Sequence, residues 1–291
     1  MGEPKKEEES DDKKSNLPRP ITLKLVLPVV SFTLLAQMLT ILLAIGYESG
    51  RVRIPPYEPF GSSVPGSVGN SLTLIATVFS FTFILVWLVR TKRINLIKRF
   101  ITIFISFTSF FLTLLLSQVI LPTLTGFAYV SQISLTLGLA AGILIGYSSL
   151  KPNAKRLGIV ASLILSVEVA TYLAIILRPP TLFILPVAFA LYDLYAVFMG
   201  PLKTLITSGQ SVLGPLAATL GELQIGLGDI AFYALLPAAG FILVGVSGAV
   251  ITIITTNIGL LLTLRMLRNR PSFPGLPIPV LLGTVGLLLL A

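Results

Sequence analysis

Cysteine and histidine are both absent from this 291-residue chain. Without cysteine there is no disulfide and no thiolate chemistry, and the redox compartment leaves no mark on the sequence. Without histidine, the Ser-His and Cys-His nucleophile pairs and the His-rich zinc sites are excluded. Acid–base work must fall on carboxylates, Lys or Tyr, with no metal site and no cofactor expected. Charge is scarce too: 11% of residues are charged and 54% are hydrophobic, against about 25% charged in an ordinary soluble domain. The apolar runs are long enough to span a bilayer as helices, so the class is an all-α polytopic membrane protein. Once those runs are set aside, no stretch remains for a soluble domain. The net charge of +9 does not point to nucleic acid, because the basic residues flank apolar runs. Anchoring in a lipid bilayer explains them better.

Nine spans are expected, at roughly 21–47, 67–89, 97–121, 128–149, 157–178, 180–201, 225–243, 246–267 and 276–291. Residues 1–19 are a charged, low-complexity tail that buries nothing and is expected to be disordered. The first apolar run, about Ile21 to Tyr47, is too long for a cleavable signal and reads as an uncleaved span. Residues 20–291 then form a single membrane domain: spans one to six over 20–201, a cytoplasmic loop over 202–224, and spans seven to nine over 225–291. Assigned to alternating sides, 18 of the Lys and Arg residues fall with the N-terminus, while Arg51, Arg53 and Arg178 fall opposite. That asymmetry places the N-terminus in the cytoplasm and the C-terminus outside.

Three further features stand out. Gly138, Gly142 and Gly146 form a small-residue stripe in the fourth span, which suits close packing within the molecule or, alternatively, a homo-oligomer interface. Glu168 lies mid-way along the fifth span with no basic residue at its depth. Hydrogen bonding to Ser or Thr is its expected environment, with a part in proton supply the other reading. The ninth span covers only about 24 Å at 1.5 Å per residue, and Pro274-Gly275-Leu276-Pro277-Ile278-Pro279 precedes it. Such a segment cannot start an ordinary surface helix. If it dips into the protein, it must be buried there or line a water-filled cavity.

The chemistry rests on two aspartates. Asp193 follows Tyr192 in the sixth span, and Asp229 closes Gly226-Leu227-Gly228-Asp229 at the start of the seventh. An ionisable group at membrane depth costs roughly 2.5–3.5 kcal/mol on insertion scales, so each is a functional candidate. With the orientation above, both fall roughly 6–12 Å below the cytoplasmic boundary on antiparallel neighbours. Gly226 and Gly228 are expected to let the partner helix come near. Two carboxyls facing each other in a poorly solvated site share one proton and titrate in two separated steps. The ionised one takes a proton from water that attacks an amide, and its protonated partner assists the carbonyl oxygen. No nucleophile, metal or cofactor is needed.

Tyr192-Asp193 and Gly226-Leu227-Gly228-Asp229 resemble the YD and GxGD motifs of the presenilin and signal peptide peptidase family. Pro274-Gly275-Leu276 stands where that family has Pro-Ala-Leu before the last span, with Gly in place of Ala. The sequences Asp193-Leu194-Tyr195-Ala196-Val197 and Asp229-Ile230-Ala231-Phe232-Tyr233 are similar to the presenilin forms, and the short 202–224 stretch to the smaller archaeal members. The resemblance implies an intramembrane aspartyl protease, in an archaeal cell membrane, acting on transmembrane-helix substrates. Asp193 and Asp229 would be catalytic and Tyr192, Gly226, Leu227 and Gly228 would support them. Pro274, Gly275 and Leu276 would hold unwound substrate by edge pairing; the β-prone Leu205-Ile206-Thr207 reads first as ordinary loop, with a part in that pairing as the other reading.

Three other classes compete. Membrane carboxylates also serve proton-coupled transport, and solute flux against polypeptide cleavage separates the two. A prepilin-type peptidase also carries GxGD but expects a Lys soon after it, and residues 230–236 contain none. A non-catalytic scaffold is disfavoured by the intact aspartate pair.

Overall fold

The computed structural model describes residues 23–50, 52–91, 94–125, 129–151, 155–199, 217–221, 223–267 and 273–290. Residues 1–19 and Leu205 to Thr207 lie outside these. Among the described residues the chain forms nine helices: α1 (Leu23–Ser49), α2 (Val64–Arg90), α3 (Ile94–Thr125), α4 (Val130–Leu150), α5 (Lys155–Ile176), α6 (Thr181–Phe198), α7 (Leu227–Val244), α8 (Val246–Leu267) and α9 (Pro277–Leu288). Each sits within a few residues of a span expected from the apolar runs. Eight are long and apolar enough to cross a membrane. α9 has only 12 residues, about 18 Å of helix, so the ninth span is short, as expected.

Part of the stretch read as loop is ordered strand. Before α7 come β1 (Ala217–Leu220) and β2 (Leu223–Gly226), an antiparallel hairpin pairing Ala217 with Gly226 and Leu220 with Leu223. The one local signal was Gly221, between short runs with only Thr219 and Ile225 as β-branched residues. Gly221 has φ +66, the positive value that primed hairpin turns require.

The helices around α7 explain the arrangement. Residues Ile230 to Gly240 of α7 are all buried, and it packs against α1, α5, α8 and α9. In the apolar spans of α7 and α5, 67% and 61% of residues are buried, against 17% in that of α2. α7 and α5 are therefore interior helices, and the others turn an apolar face outward. Phe83, Ile103, Phe107 and Ile143 are each at least 64% exposed. Apolar surface of that extent requires lipid as its solvent. The protein is an integral, multi-pass membrane protein.

Two buried polar arrangements hold interior helices in place. Pro237 lies inside α7 and has no N–H to donate to the Tyr233 carbonyl four residues earlier. Gln37 of α1 replaces that donor, its Nε2 lying 3.1 Å from the Tyr233 oxygen. Asn257 Nδ2 of α8 in turn donates to Gln37 Oε1 at 2.8 Å. The second arrangement joins α5 to α3. Ser109 Oγ donates to Glu168 Oε2 at 2.7 Å, and Thr113 Oγ1 to Glu168 Oε1. Glu168 thus has the hydroxyl partners expected for it.

The fourth-span glycines serve packing within the molecule. A Cβ on Gly138 would lie 2.9 Å from the Phe110 oxygen, and one on Gly142 3.0 Å from that of Ser106. α4 therefore lies backbone-close on α3.

Candidate active site

Asp229 is the third residue of α7, behind Gly226 as N-cap. Its carboxyl folds back toward the Gly226 amide, the reciprocal half of a capping box, in which an acidic third residue satisfies the N-cap N–H. Asp193 lies in the last turns of α6, and its charge reaches Asp229. Both side chains are half-buried. The two residues expected to act together are therefore brought together.

The segment before α9 joins them. Pro277 and Pro279, at the start of α9, have no N–H. The Leu276 amide just before them donates to Asp193 Oδ2 at 3.0 Å, and the Gly275 amide faces the same carboxyl. On its other side Gly275 abuts Asp229: a Cβ there would lie 2.6 Å from Oδ2. Real Cβ atoms do not come that close, so glycine at this position lets the segment sit directly on the carboxyl. Pro274 and Leu276 are buried. The irregular segment does dip into the protein.

Tyr233 completes the contact. It lies one turn beyond Asp229 on the same helix face, and its hydroxyl donates to the Gly275 carbonyl at 2.8 Å. Sequence reasoning did not place Tyr233 in the site, although its spacing of four from Asp229 was the available signal. One turn from the carboxyls, Phe189 of α6 and Phe232 of α7 meet with ring centroids 4.9 Å apart.

Two expectations need correction. Gly226 and Gly228 do not admit a partner helix. A Cβ on Gly228 would meet nothing, and one on Gly226 would meet Asp229 Oδ2 itself at 3.3 Å. α6 packs instead on α2 and α9, so residues 275–276, rather than helix–helix contact, close the gap between the carboxyls. Tyr192 turns away from the pair. Its hydroxyl lies 3.3 Å from Thr82 Oγ1 and its ring meets Phe79 edge-on, tying α6 to α2. Leu227 acts through its backbone: its carbonyl accepts from Ser166 Oγ at 3.2 Å, fixing the start of α7 to α5.

No family model matches the chain, and no curated protein matches it. Solved structures do match it, among them two of a presenilin family intramembrane aspartate protease. The one in space group P2 shares 22% identity and a TM-score of 0.63, over 94% of this chain and all of that one (100%). The one in C222 shares 20% identity and a TM-score of 0.62, over 92% and 98%. The chain has the presenilin fold. The likeness extends over the whole architecture of the fold.

Proposed function

We propose that the protein is an intramembrane aspartic endopeptidase that hydrolyses peptide bonds within transmembrane segments, with Asp193 and Asp229 as its catalytic pair. The observation that carries this reading is the pair of half-buried carboxyls within electrostatic reach of each other, on the interior faces of α6 and α7. One ionised and one protonated carboxyl make a general base and a general acid from the same residue type. The ionised carboxylate takes a proton from a water as that water attacks the scissile carbonyl carbon. The protonated carboxyl hydrogen-bonds the developing oxyanion. The tetrahedral intermediate then collapses, the C–N bond breaks, and the leaving nitrogen takes the proton that the first carboxylate removed from the water, which restores the starting pair.

A helical substrate must first unwind, because its amides are engaged in its own hydrogen bonds. The freed N–H and C=O groups need new partners away from water. The β1–β2 hairpin runs directly into α7 and offers strand backbone for such pairing, and Pro274, Gly275 and Leu276, against the two carboxyls, would hold the substrate beside them. The 20–291 region works as one unit, because the site draws on α6, α7 and the segment before α9. The membrane is that of a prokaryotic, archaeal cell, which the short 202–224 stretch favours.

The test is cleavage of a single-span reporter helix by purified protein in lipid, across pH. Wild type is expected to cut with a bell-shaped pH profile. Asp193→Asn and Asp229→Asn are each expected to lose about a thousandfold or more, as when one member of a catalytic set is removed. Equal cutting by either Asn variant, or a broad reporter panel left intact by wild type, would overturn the reading. Solute flux across vesicles would then be the quantity to measure.

A further inference from the structure

A cavity lies where α3, α4 and α5 meet the hairpin and the first residue of α7, and neither aspartate lines it. It has a volume of about 250 Å³ and is lined by Lys98, Lys151 and Lys155 at one end and by Ile105, Ile145 and Leu165 at the other. Lys98 stands on α3, Lys151 just past the end of α4, and Lys155 at the first position of α5. The three come from two separate connections, both on the side the basic residues assign to the cytoplasm. The fold has therefore gathered them around one hole.

No carboxylate lines this cavity, and among the described residues Arg53 pairs with Glu48 on the opposite side of the membrane, away from it. Lys151 is steered by Tyr147, donating to its hydroxyl at 2.5 Å with the ammonium 4.6 Å from the ring centroid. Ile145 and Leu165 at the floor are buried, at 1% and 6% exposed. The charges on the lining are all basic, with the hydroxyls of Ser148, Ser149 and Ser162 as further polar groups and a largely apolar floor, which suits an anion that carries an apolar body. The volume falls below the ~300–1,000 Å³ of drug-sized pockets, so it fits a headgroup better than a peptide. Basic pockets between membrane helices on the cytoplasmic side are where phosphate headgroups dock.

We propose that this cavity binds the phosphate headgroup of an anionic phospholipid from the cytoplasmic leaflet. Lys98, Lys151 and Lys155 face the phosphate, and the floor takes the glycerol and first acyl carbons. The inference rests on the membrane orientation and does not depend on the protease reading. β1 contributes Ala217 and Thr219 to the wall and α7 contributes Leu227, so occupancy is readable in the backbone there.

The experiment uses the full chain in phosphatidylcholine nanodiscs, titrated with phosphatidylglycerol. Retained lipid is counted by native mass spectrometry, and amide hydrogen exchange is followed at 145–165 and 217–227. Wild type is expected to retain one phosphatidylglycerol and gain protection in both segments. At about fivefold per lysine near an anionic surface, Lys155→Gln should weaken retention about fivefold and K98Q/K151Q/K155Q about a hundredfold. K98R/K151R/K155R and the control Arg265→Gln should stay near wild type. Equal retention by wild type and Lys155→Gln would overturn the proposal. Inorganic phosphate is the second arm: if it protects the same amides in phosphatidylcholine alone and displaces phosphatidylglycerol, the site belongs to a free anion and the lipid assignment falls.

Discussion

Gln37 Nε2 sits 3.1 Å from the main-chain oxygen of Tyr233, 196 positions away in the chain. It supplies the donor that Pro237 removed. Gln37→Leu keeps the bulk and leaves the Tyr233 carbonyl buried without that partner, which costs about 1–3 kcal/mol. The stability loss is expected in chemical or thermal unfolding of the purified protein in mixed micelles. Asn257→Ala should cost less. The double variant should fall short of the sum of the two, because Asn257 acts through Gln37. Additive losses would show that the three groups are not one network.

Gly275 offers the sharpest test of the site's geometry. Gly275→Ala puts a Cβ 2.6 Å from Asp229 Oδ2. The carboxyl or the segment must then shift by several tenths of an ångström. Misplacing a reacting group by about 1 Å costs up to a hundredfold, so a loss on the order of tenfold in reporter cleavage is expected. The unfolding midpoint should change little. An alanine variant as active as wild type would mean that the segment moves off Asp229 when substrate binds.

Glu168 tests a structural role. Its two oxygens accept from Ser109 and Thr113. Glu168→Gln keeps one acceptor and turns the other atom into a donor, which a rotated hydroxyl can meet, so it should cost under about 1 kcal/mol. Glu168→Ala strands both hydroxyls and opens a void, for about 2–4 kcal/mol. Equilibrium unfolding of both variants checks the ranking. If instead Glu168→Gln abolishes reporter cleavage while stability holds, Glu168 supplies protons to the site.

Much of this architecture was legible without coordinates because the bilayer is a severe solvent. A chain with 54% hydrophobic residues and 18 of its basic residues on one side has few ways to satisfy its backbone in lipid, and helical spans at those positions are the way available. Asp193 and Asp229 stood out for the same reason, as carboxyls where carboxyls are costly. The three prolines around residue 276 announced that a helix could not begin at the surface, because proline gives no N–H and restricts the residue before it.

Tertiary structure alone decided what those residues touch. Spacing cannot reveal that the Leu276 amide reaches Asp193 across 83 positions, or that the gap between α6 and α7 is closed by residues 275–276 and not by the glycines of Gly226-Leu227-Gly228. Gln37 was silent in the sequence because its partner is a carbonyl freed by a proline on another helix. The hairpin at 217–226 was hidden by its brevity, since four-residue strands carry too little alternation to stand out beside long apolar spans. Single-helix properties follow from local composition and the membrane. Contacts between distant helices depend on how nine of them pack at once, and no local pattern encodes that.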